Sequence, residues 1–214
     1  MDLFRNQQLL ENYMAEHTAP EDTVLAELTR HTYLKEVHPR MLSGHLMGNF
    51  LEMFSKLLSP FRILEIGTYT GYSAICLARG LKPGGKLTTI EINDELRHTA
   101  KEFFKKGGVQ DRIEIINGDA INVIPSLNNS FDLVYIDGNK EYYSEYYQLA
   151  FEKVLPGGYL LADNVLWGGK VMDESVTDPA SLSIRSFNRM VNEDQKVENQ
   201  ILPIRDGIMI IKKL

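Results

Sequence analysis

Cysteine is all but missing from this chain. Cys76 stands alone inside the apolar run AICLA, so no intrachain disulfide is possible and the residue reads as a small core side chain. Tryptophan is as scarce, with Trp167 the only one. A basic excess is missing too. The 23 Lys and Arg face 29 Asp and Glu, a net charge of -6, which argues against broad, nonspecific nucleic-acid binding. No apolar run approaches the about 18 residues of a membrane span. The opening MDLFRNQQLL has neither the basic nor the apolar region of a secretory signal, so the cytoplasm is the expected location. No repeat, low-complexity tract or Pro/Gly/Ser linker divides the chain, and one domain over 1–214 is expected. The G-x-G-x-x-G fingerprint does not occur, which turns away an NAD-type or nucleotide-sugar oxidoreductase.

What is present changes character at Pro60. Before it the chain reads as helices, forming a helical extension over 1–60. Leu9, Leu10, Tyr13 and Met14 recur at helical spacing, and Val24, Leu25, Leu28 and Leu34 give a second apolar face. Thr18 and Glu21 have the spacing of a capping box, and a third helix spans roughly 44–58. After Pro60, short runs rich in Ile, Leu and Val fall at 62–67, 86–92, 113–118, 131–137 and 158–164. Amphipathic segments at 72–81, 94–106, 120–127 and 142–155 separate them. This alternation predicts an α/β fold, a mostly parallel sheet with helices on both faces. Near-continuous apolar strands fit a sheet buried on both sides. Two last runs, 197–204 and 208–212, flank Arg205-Asp206-Gly207 and predict an antiparallel hairpin, for seven strands in all.

The stretch ILEIGTYTGYS reads as a strand, a glycine turn and a helix start. Gly67 and Gly71 let the backbone approach a ligand, and the helix N-terminus offers free N–H donors. Glu91 ends the following strand, where an acid can accept from both hydroxyls of a ribose. Gly118-Asp119-Ala120 ends the third strand, where an adenine ring can be pinned. In such sheets ligands bind at the carboxyl ends of strands.

This pattern resembles the class I S-adenosylmethionine (SAM)-dependent methyltransferases, with their Rossmann-like seven-stranded sheet and antiparallel last strand. ILEIGTYTGYSAICLA, TIEINDE, FDLVYIDGNK and LADNVLW together resemble the metal-dependent O-methyltransferases that include catechol and caffeoyl-CoA O-methyltransferases. The resemblance runs from about Met41 to Leu214. It implies that Met41, Ser43, Gly67, Tyr69, Gly71, Ser73, Glu91, Asp119, Ala120 and Asp137 contact SAM. It implies Asp137, Asp163 and Asn164 as metal ligands and Lys140 as general base. Two carboxylates and an amide suit a hard cation such as Mg²⁺ and make a poor zinc site. The family pattern usually has Ala and Asp where this chain has Gly138 and Asn139, which bears on substrate preference.

Trp167 offers a flat aromatic wall, and WGGKVMDESVTDPASLSIRSFN reads as a long polar loop shaping the acceptor pocket, with Asn188 near its end. The expected reaction is methyl transfer to a hydroxyl of a small vicinal-diol aromatic, of catechol or hydroxycinnamoyl type. The alternative is a hydroxylated wobble uridine of tRNA, with Arg40, Lys170, Arg185 and Arg189 at the pocket rim. The five histidines, His17, His31, His38, His45 and His98, show no metal spacing. A homodimer contact through the N-terminal helices, with Phe4, Leu9 and Leu10, is expected.

Overall fold

The computed structural model describes residues 7–214. Phe4 lies outside the described residues. Seven strands, β1 (Arg62–Ile66), β2 (Lys86–Glu91), β3 (Ile113–Asn117), β4 (Phe131–Ile136), β5 (Val154–Asp163), β6 (Val197–Leu202) and β7 (Ile208–Lys213), form one sheet. Their order is β3-β2-β1-β4-β5-β7-β6. The first five in that order pair in parallel, and β7 runs antiparallel to both β5 and β6. The chain leaves β1 for β2 on one side and later places β4 on the other. This reversal opens a crevice at the carboxyl ends of β1 and β4, the place where α/β sheets bind ligands.

Alternate residues of each central strand enter two cores. Ile63, Leu87, Leu133 and Tyr135 face helices α2 (Thr23–Lys35), α3 (Gly44–Leu58), α4 (Tyr72–Arg79) and α5 (Leu96–Lys106). Leu64, Ile90, Val134 and Ile136 face α6 (Ala120–Ser126), α7 (Tyr143–Lys153) and α8 (Pro179–Glu193). Burial on both faces explains why these strands carry few polar residues. At the edge, β6 alternates half-buried and exposed positions and keeps its charge, Glu198, on the open side.

Three local expectations are corrected. The Thr18–Glu21 capping box does not form: Asp22 caps α2 instead, accepting from Val24 N at 2.9 Å and Leu25 N at 3.3 Å. Thr18 Oγ1 donates to Met14 O at 2.6 Å, closing the end of α1 (Gln7–Glu16), and Glu21 accepts from the Tyr72 hydroxyl at 2.6 Å. Asp22 directly precedes the first helical residue, so its carboxylate meets the free N–H groups first. Second, the segment after Trp167 is not one long loop. A 3₁₀ stretch at Trp167–Met172 leads to α8, capped by Asp178 onto Ser181 N at 3.1 Å. Third, β5 begins at Val154 and not near Gly158, its register against β4 shifting between Phe131 and Leu133. No described helix is long and apolar enough to cross a membrane.

Candidate active site

The turn after β1 is built by close approach. Gly67 has φ +96°, donates to Ile90 O at 3.0 Å, and a Cβ there would lie 2.4 Å from the carbonyl oxygen of Asp137. Only glycine lets the ends of β1 and β4 meet so closely. Gly71 has φ +93° and lies against the Phe104 ring, at the start of α4. Glu91 braces this turn. Its Oε2 accepts from Thr68 N at 3.1 Å and Tyr69 N at 2.7 Å, and its Oε1 from Asn93 N at 2.9 Å. A carboxylate offers about four lone-pair sites, so room is left for a further donor such as a ribose hydroxyl. Asp119 caps α6 onto Ile121 N at 3.0 Å, with Ala120 buried behind it.

The sheet register sets Asp137 and Asp163 side by side, because Ile136 pairs with Ala162 and each acid follows by one residue. Lys140 Nζ donates to Asp137 Oδ1 and to the Tyr143 hydroxyl, both at 2.7 Å. Tyr143 in turn donates to the carbonyl oxygen of Asp163 at 2.8 Å. Asp163 Oδ1 accepts from Asn164 N at 2.7 Å and Oδ2 from the Tyr135 hydroxyl at 2.9 Å. Asn164 sits at φ +59°, as Tyr69 does at +49° and Trp167 at +45°. Three of the five non-glycine residues with positive φ among those described thus belong to these turns, where stored backbone strain is expected. The two tyrosines were not singled out from the sequence. The hint was a phenol at each end of YIDGNKEYY, a side chain that needs a polar partner when buried.

The electrostatics are acidic. Glu65, Glu91 and Asp163 are buried, and Asp137 lies beside them. Burial pushes the Glu65 carboxyl up to about 8, helped by Asp137 and Glu91 and opposed by hydrogen bonds from Ser73 and Thr89. Asp163 is pushed up to about 6, by burial first and by Asp137 second. Burial pulls the Lys140 ammonium down, but Asp137, Tyr143 and Asp163 together raise it further, so the protein alone holds it as a cation. Among the described residues no three His, Cys, Asp or Glu side chains cluster as a metal site. The oxygen set is two adjacent carboxylates and the Asn164 amide. Crowded acids with one lysine between them fit a hard divalent cation, which prefers oxygen donors.

The O-methyltransferase family profile matches residues 15–214. The chain belongs to the O-methyltransferase family. A catechol O-methyltransferase of Niastella koreensis is 33% identical over 204 residues, covering 92% of each chain. A caffeoyl-CoA O-methyltransferase of Stellaria longipes is 28% identical over 226 residues, covering 99% of this chain and 92% of that one. Among solved structures, an O-methyltransferase from Bacillus cereus in complex with SAH superposes with TM-score 0.89 at 27% identity, covering 96% and 97%. TomG from Streptomyces achromogenes, in complex with SAM, gives TM-score 0.89 at 29% identity, covering 100% and 99%.

In this O-methyltransferase the other residues singled out from the sequence lie on the segment before α3, in the glycine turn, on α4 and in the turn after β4. Met41 is exposed at the end of a 3₁₀ turn, and Ser43 is buried at the start of α3. The Tyr69 hydroxyl donates to His38 O at 3.1 Å, which ties the glycine turn to that segment. Ser73 is buried on α4. Gly138 leaves space that Tyr146 fills, since a Cβ would lie 2.9 Å from its ring, so the departure from Ala is a packing exchange. Asn139 accepts from Glu141 N at 3.2 Å, a bond an aspartate would make as well.

A few buried side-chain polar atoms have no hydrogen-bond partner. Four occur among the described residues: Glu65 Oε1, Trp167 Nε1, Arg185 Nε and Asn188 Oδ1. Such atoms are rare in folded proteins and each asks for a ligand or water. Two belong to Trp167 and Asn188, the residues proposed for the acceptor. Asn188 is held by its Nδ2, which donates to Val165 O at 2.9 Å. Arg185 does not stand free at a rim: its Nη2 donates to the carbonyl oxygens of Asp173 and Val176 and holds that loop.

Proposed function

We propose that this enzyme transfers the methyl group of SAM to one hydroxyl of a small aromatic vicinal diol, of catechol or hydroxycinnamoyl type. The observation that carries the reading is Lys140, held between Asp137 and Tyr143 beside Asp163 and Asn164. In the reaction the acceptor oxygen attacks the methyl carbon in line with the C–S bond. The sulfur leaves with the bond pair as a thioether, and the phenolic proton passes to Lys140 Nζ. Glu91 and the glycine turn bind and orient the adenosine side, and Asp119 with Ala120 borders the base. Asp137, Asp163 and Asn164 would hold a divalent cation, Mg²⁺ by donor type. When bound, that cation acidifies the chelated hydroxyl and offsets the carboxylate charge that keeps Lys140 protonated. Trp167 and Asn188 wall the acceptor.

The net charge of -6 and the committed Arg185 weigh against tRNA as acceptor. The same proposal includes a cytoplasmic homodimer, supported by Leu9 and Tyr13, which stand exposed on α1; light scattering tests the dimer. The deciding assay is labelled methyl transfer from SAM with and without EDTA, to a catechol panel and to tRNA lacking the final methyl group. EDTA-sensitive transfer to a catechol is the expected result. Transfer only to tRNA, or transfer indifferent to EDTA, overturns it.

A further inference from the structure

We propose that Arg205 is a positioning residue that ties down the strap of residues 38–43 and so sets how firmly the enzyme holds its cofactor. This rests on the cofactor lying against the glycine turn. Arg205 sits at the tip of the β6–β7 hairpin with φ +51°, a left-handed conformation that is strained for arginine. Its side chain gives a reason to keep it there. Nη1 donates to Leu42 O at 3.0 Å, a bond between residues 163 positions apart. The same Nη1 lies against Gly44, 3.6 Å from where a Cβ would stand. Leu42 and Ser43 are buried, between the 3₁₀ turn Pro39–Met41 and α3. The other end of the strap is held by the Tyr69 hydroxyl, which donates to His38 O at 3.1 Å. Tyr69 belongs to the glycine turn, and Thr70 beside it accepts from Thr32 Oγ1 of α2 at 3.1 Å. The strap thus runs from the glycine turn to the hairpin tip, with one bond near each end.

The hairpin tip is a firm anchor. The carbonyl oxygens of Asp206 and Gly207 accept from Leu166 N at 2.8 Å and Val165 N at 3.0 Å, in the turn after β5. A strap fixed at both ends keeps one position over the glycine turn. With the Leu42 bond gone, the ligand-free enzyme divides its time between a closed strap and an open one. Only the closed form offers the cofactor its full surface, so the apparent Kd rises by the inverse of the closed fraction. A hydrogen bond from a charged donor is among the stronger ones, so its loss shifts that fraction measurably. Backbone strain and tether act in opposite directions here. The left-handed arginine gives up stability, and the bond that it makes possible holds the strap. A substitution can therefore relieve the one while it breaks the other.

The test compares Arg205→Asn with Arg205→Lys. Asparagine takes the left-handed conformation readily but is too short to reach Leu42; lysine keeps the strain, the reach and a donor. Arg205→Asn should raise the calorimetric Kd for SAH about five- to twentyfold, with a urea midpoint at or above that of the parent. Arg205→Lys should hold that Kd within about threefold, with no gain in midpoint. A merely structural residue would give the reverse order, the more stable variant binding better, or would leave both variants binding like the parent. Either result overturns the proposal. Trypsin reads the strap directly at Arg40, which is exposed. Cleavage after Arg40 in the ligand-free enzyme should speed up several-fold in Arg205→Asn and not in Arg205→Lys; unchanged cleavage in Arg205→Asn overturns the tether. Glu91→Gln is measured beside them. If it leaves SAH affinity unchanged, the placing of the cofactor against the glycine turn falls, and the proposal with it. If it weakens SAH while Arg205→Asn does not, only the tether falls. Should Arg205→Asn fail to fold, Arg205→Gly also relieves the backbone and removes the donor, and it is held to the same outcomes.

Discussion

Replacing Glu65 by glutamine should flatten the pH dependence of stability. Glu65 is buried at the end of β1, with Oε2 accepting from Thr89 Oγ1 at 2.6 Å and Oε1 without a partner. Burial raises its carboxyl from 4.5 to about 8. A raised acid stabilises the fold in its neutral form, so the contribution is complete below 4.5 and lost as pH climbs through about 8. Between those values the native state holds one proton more than the unfolded state. The slope is then about 1.4 kcal/mol per pH unit and the whole window amounts to about 5 kcal/mol, an upper figure. For a chain of this length that corresponds to roughly 10–20 °C in Tm. Glutamine keeps the volume and an acceptor for Thr89 but cannot ionise. At pH 5 the variant should match the parent within about 1 kcal/mol, and above pH 8 it should be the more stable by several kcal/mol. Asp163 has the same sign but a lower window, ending near 6, and is present in both proteins. Urea or thermal melts from pH 5 to 8.5, in EDTA and without SAM, measure the difference directly. Parallel curves for the two proteins would refute the reasoning, because a charge already ionised at pH 5 has nothing left to lose.

Three further outcomes follow from the geometry. Lys140→Ala should lower kcat by about 10²- to 10⁴-fold while calorimetric SAM affinity stays within about twofold. Asp163→Asn keeps a partner for the Tyr135 hydroxyl but removes a charge, so the Mg²⁺ dissociation constant read by calorimetry should rise about tenfold or more. Gly67→Ala forces a Cβ to within 2.4 Å of the Asp137 carbonyl at a positive φ; it should cost about 2–3 kcal/mol in urea melts and lower SAM affinity with it. An unchanged urea midpoint in that variant would mean that the two strand ends do not meet as described.

How far the sequence could be read depended on the range of the interaction. Strands β1, β2 and β4 announced themselves because both faces are buried, which leaves an apolar run with no phase to misjudge. The glycine turn and the Asp137–Lys140 spacing are local, and both stand where they were expected. Helix α8 was hidden by composition. Its buried residues Ser181, Ile184, Phe187 and Val191 do recur at helical spacing, but serines, asparagine and arginines fill the other positions and Asp-Pro opens it like a turn. The cap of α2 was misplaced by four positions, at Thr18 instead of Asp22, because several polar residues precede the helix and spacing alone does not choose among them. The bracing of the glycine turn by Glu91 could not be read at all. It joins residues 22 and 23 positions apart through backbone N–H groups that carry no side-chain mark. The Tyr135 and Tyr143 bonds to Asp163, 28 and 20 positions away, are of the same kind.

The acidity of the site has a topological cause. In a parallel sheet the strands end at one edge, so an acid at the end of each of β1, β2, β4 and β5 becomes a cluster without any two being close in sequence. The protein offsets these charges unevenly. Glu91 accepts three backbone N–H bonds, Asp137 has Lys140, and Asp163 has Asn164 N and Tyr135. Glu65 has only hydroxyls, and one of its oxygens has no partner. The raised carboxyls of Glu65 and Asp163 show that the compensation is incomplete where β1 and β5 end. A fold selected for stability alone would place leucine there. Acids kept at some cost to the fold, around a crevice that also holds strained turns, are what a site built for cationic ligands requires. A sulfonium and a divalent metal ion, the two ligands that the proposed reaction calls for, are both cationic.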